Sequence, residues 1–452
     1  MVKVITYGSF DLFHDGHYQL LKRAKELGDY LIVGVTTENF DRMRGKLNLV
    51  DPIKVRMDNV WNTGFADEII VEDHEGQKIE DIQRYGIDIF TLGSDWVGRF
   101  DYLNEYCKVV YLPRTQGISS SELRDRKQRI VRLGIIGTGR IAPRFLKETS
   151  FVSGIEVTEA YNPEVDSARA FEEKYQIPVW TDKFDEFLNE LDAVYVASPN
   201  ETHSNYVGKA LSAGKHVLCE KPMTFTYAEA VELYHLAQEK QVTLMEGIRT
   251  AYLPGFQQLL SVARNGTIGE ICDVEATFSR LGNPESREMT DYKYSGAFLE
   301  YGSYGMLPIF KLLGKDYEDV QIESVYGKKG IDIFTKVQFR YLNSLATAKA
   351  GAGVKSEGEL IIAGTKGYIV VPSPWWLTRG FDVRYEDPMK VDHYETAFRG
   401  DDGLRYEISE FISKINGTGG NDYKLTAEES IAMADVVEKF MIKRRDYQRG
   451  IK

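Results

Sequence analysis

The chain has 452 residues, which is too long for one ordinary hydrophobic core and predicts two or three domains. Hydrophobic residues make up 43% and charged residues 27%, as in a typical globular protein. The net charge of -12 argues against a broad nucleic-acid-binding face, because such a face must be basic. We therefore expect small-molecule substrates and no nucleic-acid partner.

Cysteine usage and hydropathy narrow the class further. The three cysteines lie far apart without CxxC spacing, so neither a disulfide framework nor a metal site is predicted. No apolar run reaches membrane-spanning length, and the first residues predict a strand rather than a signal peptide. We expect a cytoplasmic protein with no membrane partner.

Residues 1 to about 125 alternate predicted strands and helices. An apolar strand at 2–7 leads into a glycine-containing loop at 8–16, and Leu20, Leu21 and Ala24 have helical spacing within 18–27. Later strands are predicted at 30–35, 68–71, 87–92 and 109–111. The pattern predicts a small parallel sheet with helices on both faces, followed by a charged linker at 121–128.

Two histidines, His14 and His17, lie three residues apart in that loop, at the predicted start of a helix. Imidazoles and helix N-terminal amides together can stabilise the charge that builds up on a phosphate group under attack. Gly16, between the histidines, would allow close backbone approach to a nucleotide. The alternatives are two exposed loop histidines or a chance metal pair.

Two separated motifs place this pattern in a family. YGSFDLFHDGH at 7–17 and RTQGISSS at 114–121 resemble the cytidylyltransferases, and GSDWVGRFD at 93–101 resembles glycerol-3-phosphate cytidylyltransferase. The resemblance implies catalytic roles for His14, His17, Lys46 and Arg114. The residues that it implies for nucleotide contact are Gly8, Ser9, Phe10, Asp11, Gly16, Thr115, Ser119 and Ser120.

The acceptor side of this site is less determined. Arg44 keeps the charge of a lysine found in the family, and the resemblance implies that Arg56 reaches the acceptor phosphate. The stretch LNLV at 47–50 departs from the glycerol enzymes, so the polyol stays open. A triphosphate carries more charge than these residues neutralise, and Mg²⁺ is therefore expected with CTP.

A second strand, glycine turn and helix begin at about residue 131. Gly137-x-Gly139-x-x-Ala142 has the context of a dinucleotide fingerprint. Strands are predicted at 133–136, 157–161, 193–197 and 215–218, with helices after 202 and 226. Three later motifs, ASPNETH at 197–203, GKHVLCEKP at 214–222 and GAFLEYGSY at 296–304, resemble the Gfo/Idh/MocA oxidoreductases.

This second resemblance implies a hydride-transfer site. It places Lys221 beside a nicotinamide, with Tyr304 as acid/base partner and Glu300, where aspartate is usual, on the substrate side. The residues that it implies for dinucleotide contact are Gly137, Gly139, Arg140, Ile141, Ser198, Pro199, Asn200, His203 and Glu220. The second strand ends without a carboxylate or an arginine at 160–163, which leaves NADP and NAD open and favours NADP.

In the remaining chain, apolar and polar residues alternate over long stretches at 271–280, 320–326, 335–341, 346–351 and 359–363. A helix is predicted after them, at 427–444. The alternation predicts an antiparallel sheet that is open on one face and covered by helices on the other. The fold class is α/β: an HxGH nucleotidyltransferase domain at 1–128, a Rossmann domain at 129–250 and an α+β antiparallel-sheet domain at 251–452. The final helix is expected against the Rossmann domain.

The two resemblances together predict a bifunctional enzyme. The second part would reduce a sugar phosphate, and the first would transfer CMP from CTP to the resulting polyol phosphate, such as a pentitol or glycerol phosphate. The alternatives are oxidation of the CDP-polyol by the second part, or a second part that only senses a dinucleotide.

A homo-oligomer, as a dimer, is implied by the first resemblance. An apolar sheet face with Val274, Ala276, Phe278, Val337 and Phe339 is a further candidate surface for a partner.

Overall fold

The computed structural model describes residues 1–113, 130–327, 330–396, 402–418 and 424–450. Contacts divide the chain into two compact units, Met1–Ala193 with Asn416–Thr418, and the rest from Val194 onward. This division does not coincide with the domain limits predicted at 128 and 250, which stay predictions. The predicted linker at 121–128 lies outside the described residues.

The first sheet has five strands in the order β3-β2-β1-β4-β5, and all its neighbouring strands run parallel. Its strands are β1 (Lys3–Gly8), β2 (Tyr30–Thr36), β3 (Glu68–Glu72), β4 (Ile89–Gly93) and β5 (Lys108–Leu112). Its helices are α1 (Asp15–Glu26), α2 (Glu38–Met43), α3 (Ile53–Trp61) and α4 (Gln77–Tyr85). Six consecutive buried residues in β2 reflect cover on both faces of a parallel sheet. The predicted small parallel sheet is confirmed.

The second sheet has six strands in the order β11-β10-β9-β6-β7-β8. Its strands are β6 (Val131–Ile136), β7 (Ile155–Tyr161), β8 (Val179–Thr181), β9 (Ala193–Val196), β10 (His216–Glu220) and β11 (Leu244–Gly247). The helices along this part are α5 (Ala142–Thr149), α6 (Val165–Tyr175), α7 (Phe184–Phe187), α8 (His203–Ser212) and α9 (Tyr227–Lys240). The β6–β7, β7–β8 and β10–β11 pairs are parallel, as a dinucleotide fold requires.

The third sheet has eight strands in the order β13-β14-β15-β12-β16-β17-β18-β19. They are β12 (Ile271–Ser279), β13 (Asp319–Tyr326), β14 (Asp332–Arg340), β15 (Leu345–Gly351), β16 (Leu360–Gly364), β17 (Tyr368–Val371), β18 (Gly380–Arg384) and β19 (Val391–Glu395). The prediction of a purely antiparallel sheet is wrong at one place, because β12 and β15 run parallel. The long connection between them, through two helices and two strands, allows this parallel arrangement.

The remaining helices are α10 (Pro254–Arg264), α11 (Arg287–Thr290), α12 (Ala297–Leu313), α13 (Leu404–Ile415) and α14 (Ala427–Gly450). Helix α12 contacts β12, β14 and β15. The apolar face suggested for a partner is therefore already used within the chain, and that suggestion is wrong. Its residues Val274, Ala276, Phe278, Val337 and Phe339 are all buried.

The last helix, α14, lies against α9, where the Tyr227 amide donates to the Glu438 carboxylate at 2.9 Å. Helix α9 is capped by Thr226, whose hydroxyl accepts from the Glu229 amide at 3.2 Å.

Within the described part of the chain, no helix is both long and apolar enough to cross a membrane.

Candidate active sites

The loop after β1 brings the two predicted histidines together. His14 caps α1, and its Nδ1 accepts from the Gly16 amide at 3.1 Å, while His17 Nδ1 accepts from the His14 amide at 3.4 Å. The two rings stack with their centroids 3.9 Å apart. Because each Nδ1 is an acceptor, the geometry assigns the proton to Nε2 in both rings. Each imidazole can therefore donate one hydrogen bond to a phosphate oxygen.

Both histidines are held in the neutral form. Burial, with the charge of Lys46, lowers the pKa of His14 to about 4. Burial also lowers the pKa of His17 well below its ordinary value, helped by His14 and Lys46. Two neutral donors and one ammonium are suited to binding a triphosphate.

Gly16 is needed at its position for a reason within the loop. A Cβ there would lie 2.8 Å from His14 Cε1, a separation that real Cβ atoms do not show. Any other residue would displace the His14 ring. The sequence suggested that the missing side chain of Gly16 leaves room for a nucleotide. The structure shows that it also leaves room for the His14 imidazole.

Three other predicted residues of this loop, Ser9, Phe10 and Asp11, make contacts that hold the loop in place. The Asp11 carboxylate accepts from the Asp51 amide at 2.7 Å and from the Val50 amide, while Phe10 is buried and packs edge-on against His17. The Ser9 carbonyl accepts from Arg56 Nη1 at 2.7 Å. Gly8 ends β1 just before them.

Arg56 is buried and bonds to main-chain carbonyls around this loop. Its side chain is 0% exposed, and it also donates to the Asp51 and Thr36 carbonyls at 2.9 Å each. These bonds hold the loop in place, while Arg56 Nη2 is buried without a hydrogen-bond partner among the described residues, and its contact with an acceptor phosphate stays a prediction. Arg44 is one-third exposed and pairs with Asp41 at 3.1 Å, so it remains reachable by a ligand.

Lys46 lies close enough to the histidine pair for its charge to affect both rings. Its Nζ donates to the Ser150 carbonyl at 3.1 Å. The predicted residues Arg114, Thr115, Ser119 and Ser120 lie outside the described residues.

The glycine turn after β6 has the backbone that a dinucleotide fold needs. Gly137 has φ +94°, in the left-handed region, and a Cβ on Gly139 would meet open space. Ile141 precedes α5 and offers no side-chain cap, so the first amides of α5 are suited to a pyrophosphate. Arg140, beside them, is exposed. These residues fit a dinucleotide.

The other predicted dinucleotide-binding loops form a hydrogen-bonded group. His203 is buried, and its ring nitrogens lie 2.9 Å from the Ser198 and Pro222 carbonyls. The Pro199 carbonyl accepts from the Thr202 amide at 2.8 Å. Asn200 Nδ2 donates to the Tyr294 carbonyl at 3.3 Å. His203 thus has a positioning role for the loops that precede and follow it.

Lys221 and α12 form the proposed reaction centre. Lys221 Nζ donates to the Glu300 carbonyl at 2.9 Å, and lies 3.8 Å from Glu300 Oε2 and 6.0 Å from the Tyr304 ring centroid. Glu300 and Tyr304 are four residues apart and share one face of α12. Burial opposes the charge of Lys221, but Glu300 and its neighbours outweigh burial and raise its pKa. Burial also raises the pKa of Tyr304.

Two residues near this centre were not predicted from the sequence. The Arg249 guanidinium lies 5.8 Å from the Tyr304 ring centroid, and its Nε is buried without a hydrogen-bond partner in the described chain. Arg249 follows the carboxyl end of β11, the edge at which α/β sheets bind ligands, and that position was an available signal. Tyr195 donates its hydroxyl to Glu220 Oε1 at 2.6 Å and thereby orients a predicted cofactor residue.

Comparison with known proteins assigns the first part of the chain to a family. Residues 5–126 match the family described as Cytidylyltransferase-like. Glycerol-3-phosphate cytidylyltransferase of Bacillus spizizenii is 50% identical over 124 residues, which are 27% of this chain and 95% of that protein. The chain belongs to the cytidylyltransferase family.

The second part of the chain is a Gfo/Idh/MocA oxidoreductase domain. Residues 131–248 match this oxidoreductase family, described as having an NAD-binding Rossmann fold. A dTDP-3,4-didehydro-2,6-dideoxy-alpha-D-glucose 3-reductase of Actinomadura kijaniata is 33% identical over 202 residues, which are 42% of this chain and 58% of that protein.

A solved structure shares the fold of this second part. It is a 3-ketoreductase from Actinomadura kijaniata in complex with NADP and TDP-benzene, with a TM-score of 0.60 and 23% identity. The match covers 68% of this chain and 96% of the reductase. Together, the comparisons identify a cytidylyltransferase-like domain fused to an NAD(P)-binding oxidoreductase domain.

Proposed function

We propose that this chain makes a CDP-polyol in two steps. Its oxidoreductase domain reduces a sugar phosphate to a polyol phosphate, and its cytidylyltransferase domain then transfers CMP from CTP to that phosphate and releases pyrophosphate. The observation that carries the proposal is the presence, in one chain, of a neutral histidine pair with Lys46 and of Lys221 beside Tyr304. A fused chain commonly joins consecutive reactions.

The transfer of CMP needs charge stabilisation more than covalent chemistry. An oxygen of the polyol phosphate attacks the α-phosphorus of CTP, and the bond to the pyrophosphate oxygen breaks. The Nε2–H groups of His14 and His17 donate to the phosphate oxygens, and the Lys46 ammonium offsets the negative charge. Mg²⁺ would neutralise part of the charge of the triphosphate and of the leaving pyrophosphate.

The reduction needs a hydride and a proton at the same carbonyl. NADPH or NADH, when bound, would supply the hydride. Lys221 is charged at neutral pH and donates the proton to the developing alkoxide, and Glu300 keeps the ammonium in place. Tyr304 lies near Lys221 and shares the proton path.

Arg249 supports a phosphorylated substrate for this step. Among the described residues its buried Nε has no hydrogen-bond partner, and its ion pair with Asp402 is long, at 3.9 Å. Leaving such a donor unsatisfied is costly, whereas a substrate phosphate would accept from it. An anionic substrate therefore fits this pocket better than a free sugar.

One comparison favours a second candidate function. The relative that is 33% identical is named as a reductase of a dTDP-linked sugar. By analogy, the second domain would oxidise the CDP-polyol after the transfer rather than prepare the polyol phosphate before it. In this order Lys221, in its neutral form, would accept the hydroxyl proton while the oxidised cofactor accepts the hydride.

The test uses the full chain with MgCl₂, CTP and NADPH or NADH against a panel of sugar phosphates. Cofactor absorbance, pyrophosphate and product mass are followed together. Reduced cofactor consumed with one sugar phosphate, followed by a CDP-polyol mass, is the expected result. Oxidation of CDP-glycerol or CDP-ribitol with NADP⁺, without any sugar phosphate being reduced, would replace the proposal with the second candidate. No hydride transfer in either panel would overturn both.

A further inference from the structure

A turn of the second fold lies against the first fold at Lys46. This turn, residues 150–153, directly follows α5, the helix whose first residues begin at the predicted pyrophosphate loop. The Leu47 amide donates to the Phe151 carbonyl at 2.8 Å, and the Ser153 amide donates to the Leu47 carbonyl at 3.0 Å. Leu47 also forms an isolated parallel bridge with Val152. Main-chain bonds in both directions fix the residue next to Lys46.

The turn also contacts the GSDWVGRFD stretch of the first fold. The rings of Trp96 and Phe151 meet edge-to-face with their centroids 5.8 Å apart. The Arg99 guanidinium lies 5.2 Å from the Trp96 centroid and 5.3 Å from the Phe151 centroid. Phe151 itself is 9% exposed. Its ring therefore holds the turn against one stretch that the cytidylyltransferase resemblance had singled out, while its carbonyl bonds to the residue beside Lys46.

The Lys46 side chain ends on this turn. Its Nζ donates to the Ser150 carbonyl at 3.1 Å, a bond strengthened by the ammonium charge. An ammonium has three donors, so one bond to a carbonyl leaves two for phosphate oxygens. A lysine held in this way loses less conformational entropy when it binds a ligand, because its long side chain is already ordered.

We propose that the turn 150–153 is a positioning element of the nucleotidyl-transfer site, which holds Lys46 in the place where it meets the triphosphate of CTP. Cytidylyl transfer in this chain then depends on the second fold. This inference rests on the CTP-binding half of the proposed function. It is independent of the polyol and of the redox step.

The test measures CTP binding to the full chain by isothermal titration calorimetry with MgCl₂ present, so no acceptor is needed. Phe151→Ala removes the ring contact with Trp96 and Arg99 and should raise the Kd for CTP roughly tenfold, the size expected for one charge-assisted hydrogen bond. Phe151→Tyr should restore tight binding. Trp180→Ala is the matched control, because it removes a similar contact elsewhere in the same fold. There the Arg169 guanidinium lies 5.5 Å from the Trp180 ring centroid.

A double-mutant cycle separates positioning from a general structural effect. If the turn acts through Lys46, Phe151→Ala should have no further effect on CTP binding in a Lys46→Met background. An equal loss in both backgrounds would overturn the inference, as would unchanged CTP binding in Phe151→Ala. Absence of CTP binding in the wild-type chain would instead defeat the cytidylyltransferase half of the proposed function. Titration with NADP⁺ checks that the Phe151→Ala protein keeps its second fold.

Discussion

Lys221 combines burial with a retained positive charge, because Glu300 and its neighbours together outweigh the cost of removing the ammonium from water. Lys221→Ala should therefore lower hydride-transfer turnover by a factor on the order of 100, the usual effect of losing a positioned proton donor. The Kd for the dinucleotide should change little, since we expect the pyrophosphate at the glycine turn 137–142, away from Lys221.

Turnover is followed by cofactor absorbance, and the Kd by fluorescence titration. Lys240→Ala, at the exposed end of α9, is the control. Tyr304→Phe should show the same signature as Lys221→Ala if the phenol shares the proton path. Near-normal turnover in Lys221→Ala would defeat the assigned mechanism.

The protonation state of the His14 imidazole should affect the stability of α1, because this ring caps the helix. Its Nδ1 accepts from the Gly16 amide, and protonation of Nδ1 would remove that acceptor. The pKa of His14 in the folded chain is about 4, below the ordinary value near 6.5. Between these values the unfolded chain binds more protons, so the free energy of unfolding should fall as pH is lowered from about 6.5 to 4.

His14→Asn tests this link, because asparagine caps helices well and does not titrate. Urea unfolding at pH 7 and pH 5 should show a smaller loss of stability in the variant than in the wild-type chain. Identical pH dependence in the two proteins would mean that His14 contributes nothing to it.

Helix α12, which carries Glu300 and Tyr304, is anchored at its first turn by a buried ion pair. Asp332 Oδ2 accepts from the Phe298 amide at 2.8 Å, and Arg444 Nη1 lies 3.9 Å from Asp332 Oδ1 and donates to the Ser295 carbonyl at 2.6 Å. Both charged side chains are almost completely buried. The helix start therefore depends on two residues far away in the sequence.

Asp332→Ala should destabilise the chain by about 3–5 kcal/mol, because Arg444 would stay buried without its counter-charge. Asp332→Asn keeps an acceptor for the Phe298 amide and should cost less. Urea denaturation followed by circular dichroism measures both values. A wild-type midpoint in Asp332→Ala would show that the pair does not anchor α12.

The two proposed reactions use separate groups of side chains, so a mutation should be able to abolish one activity and leave the other. His17→Ala should abolish formation of the CDP product and leave hydride transfer nearly unchanged, because His17 lies in α1 of the first fold and Lys221 follows β10 of the second sheet. Both activities are measured on the same preparation of full chain. Loss of both in a folded protein would contradict the two-site model.

The oligomeric state is a prediction for the whole chain. The cytidylyltransferase family implies pairing through the first fold, and we expect a homodimer. Light scattering at micromolar concentration should give twice the 51.5 kDa of one chain. A mass of one chain would contradict this expectation.

The sequence alone identified both folds and most candidate residues, because strands, glycine turns and motifs such as HxGH are local patterns. It also placed Lys221, Glu300 and Tyr304 in one site, and the structure brings them together. The fold predictions succeeded because backbone conformation and glycine turns are encoded over short stretches of chain. The roles of the three residues stay predictions.

Burial and long-range contacts were decided only by the tertiary structure. The bonds of buried Arg56 to loop carbonyls were not predicted, and Arg249 belongs to no predicted motif but lies beside Tyr304. The parallel β12–β15 pair and the contact of Lys46 with Ser150 join segments that are about 70 and 104 residues apart. The exposure and charge state of a side chain depend on such distant neighbours, and no local pattern records them.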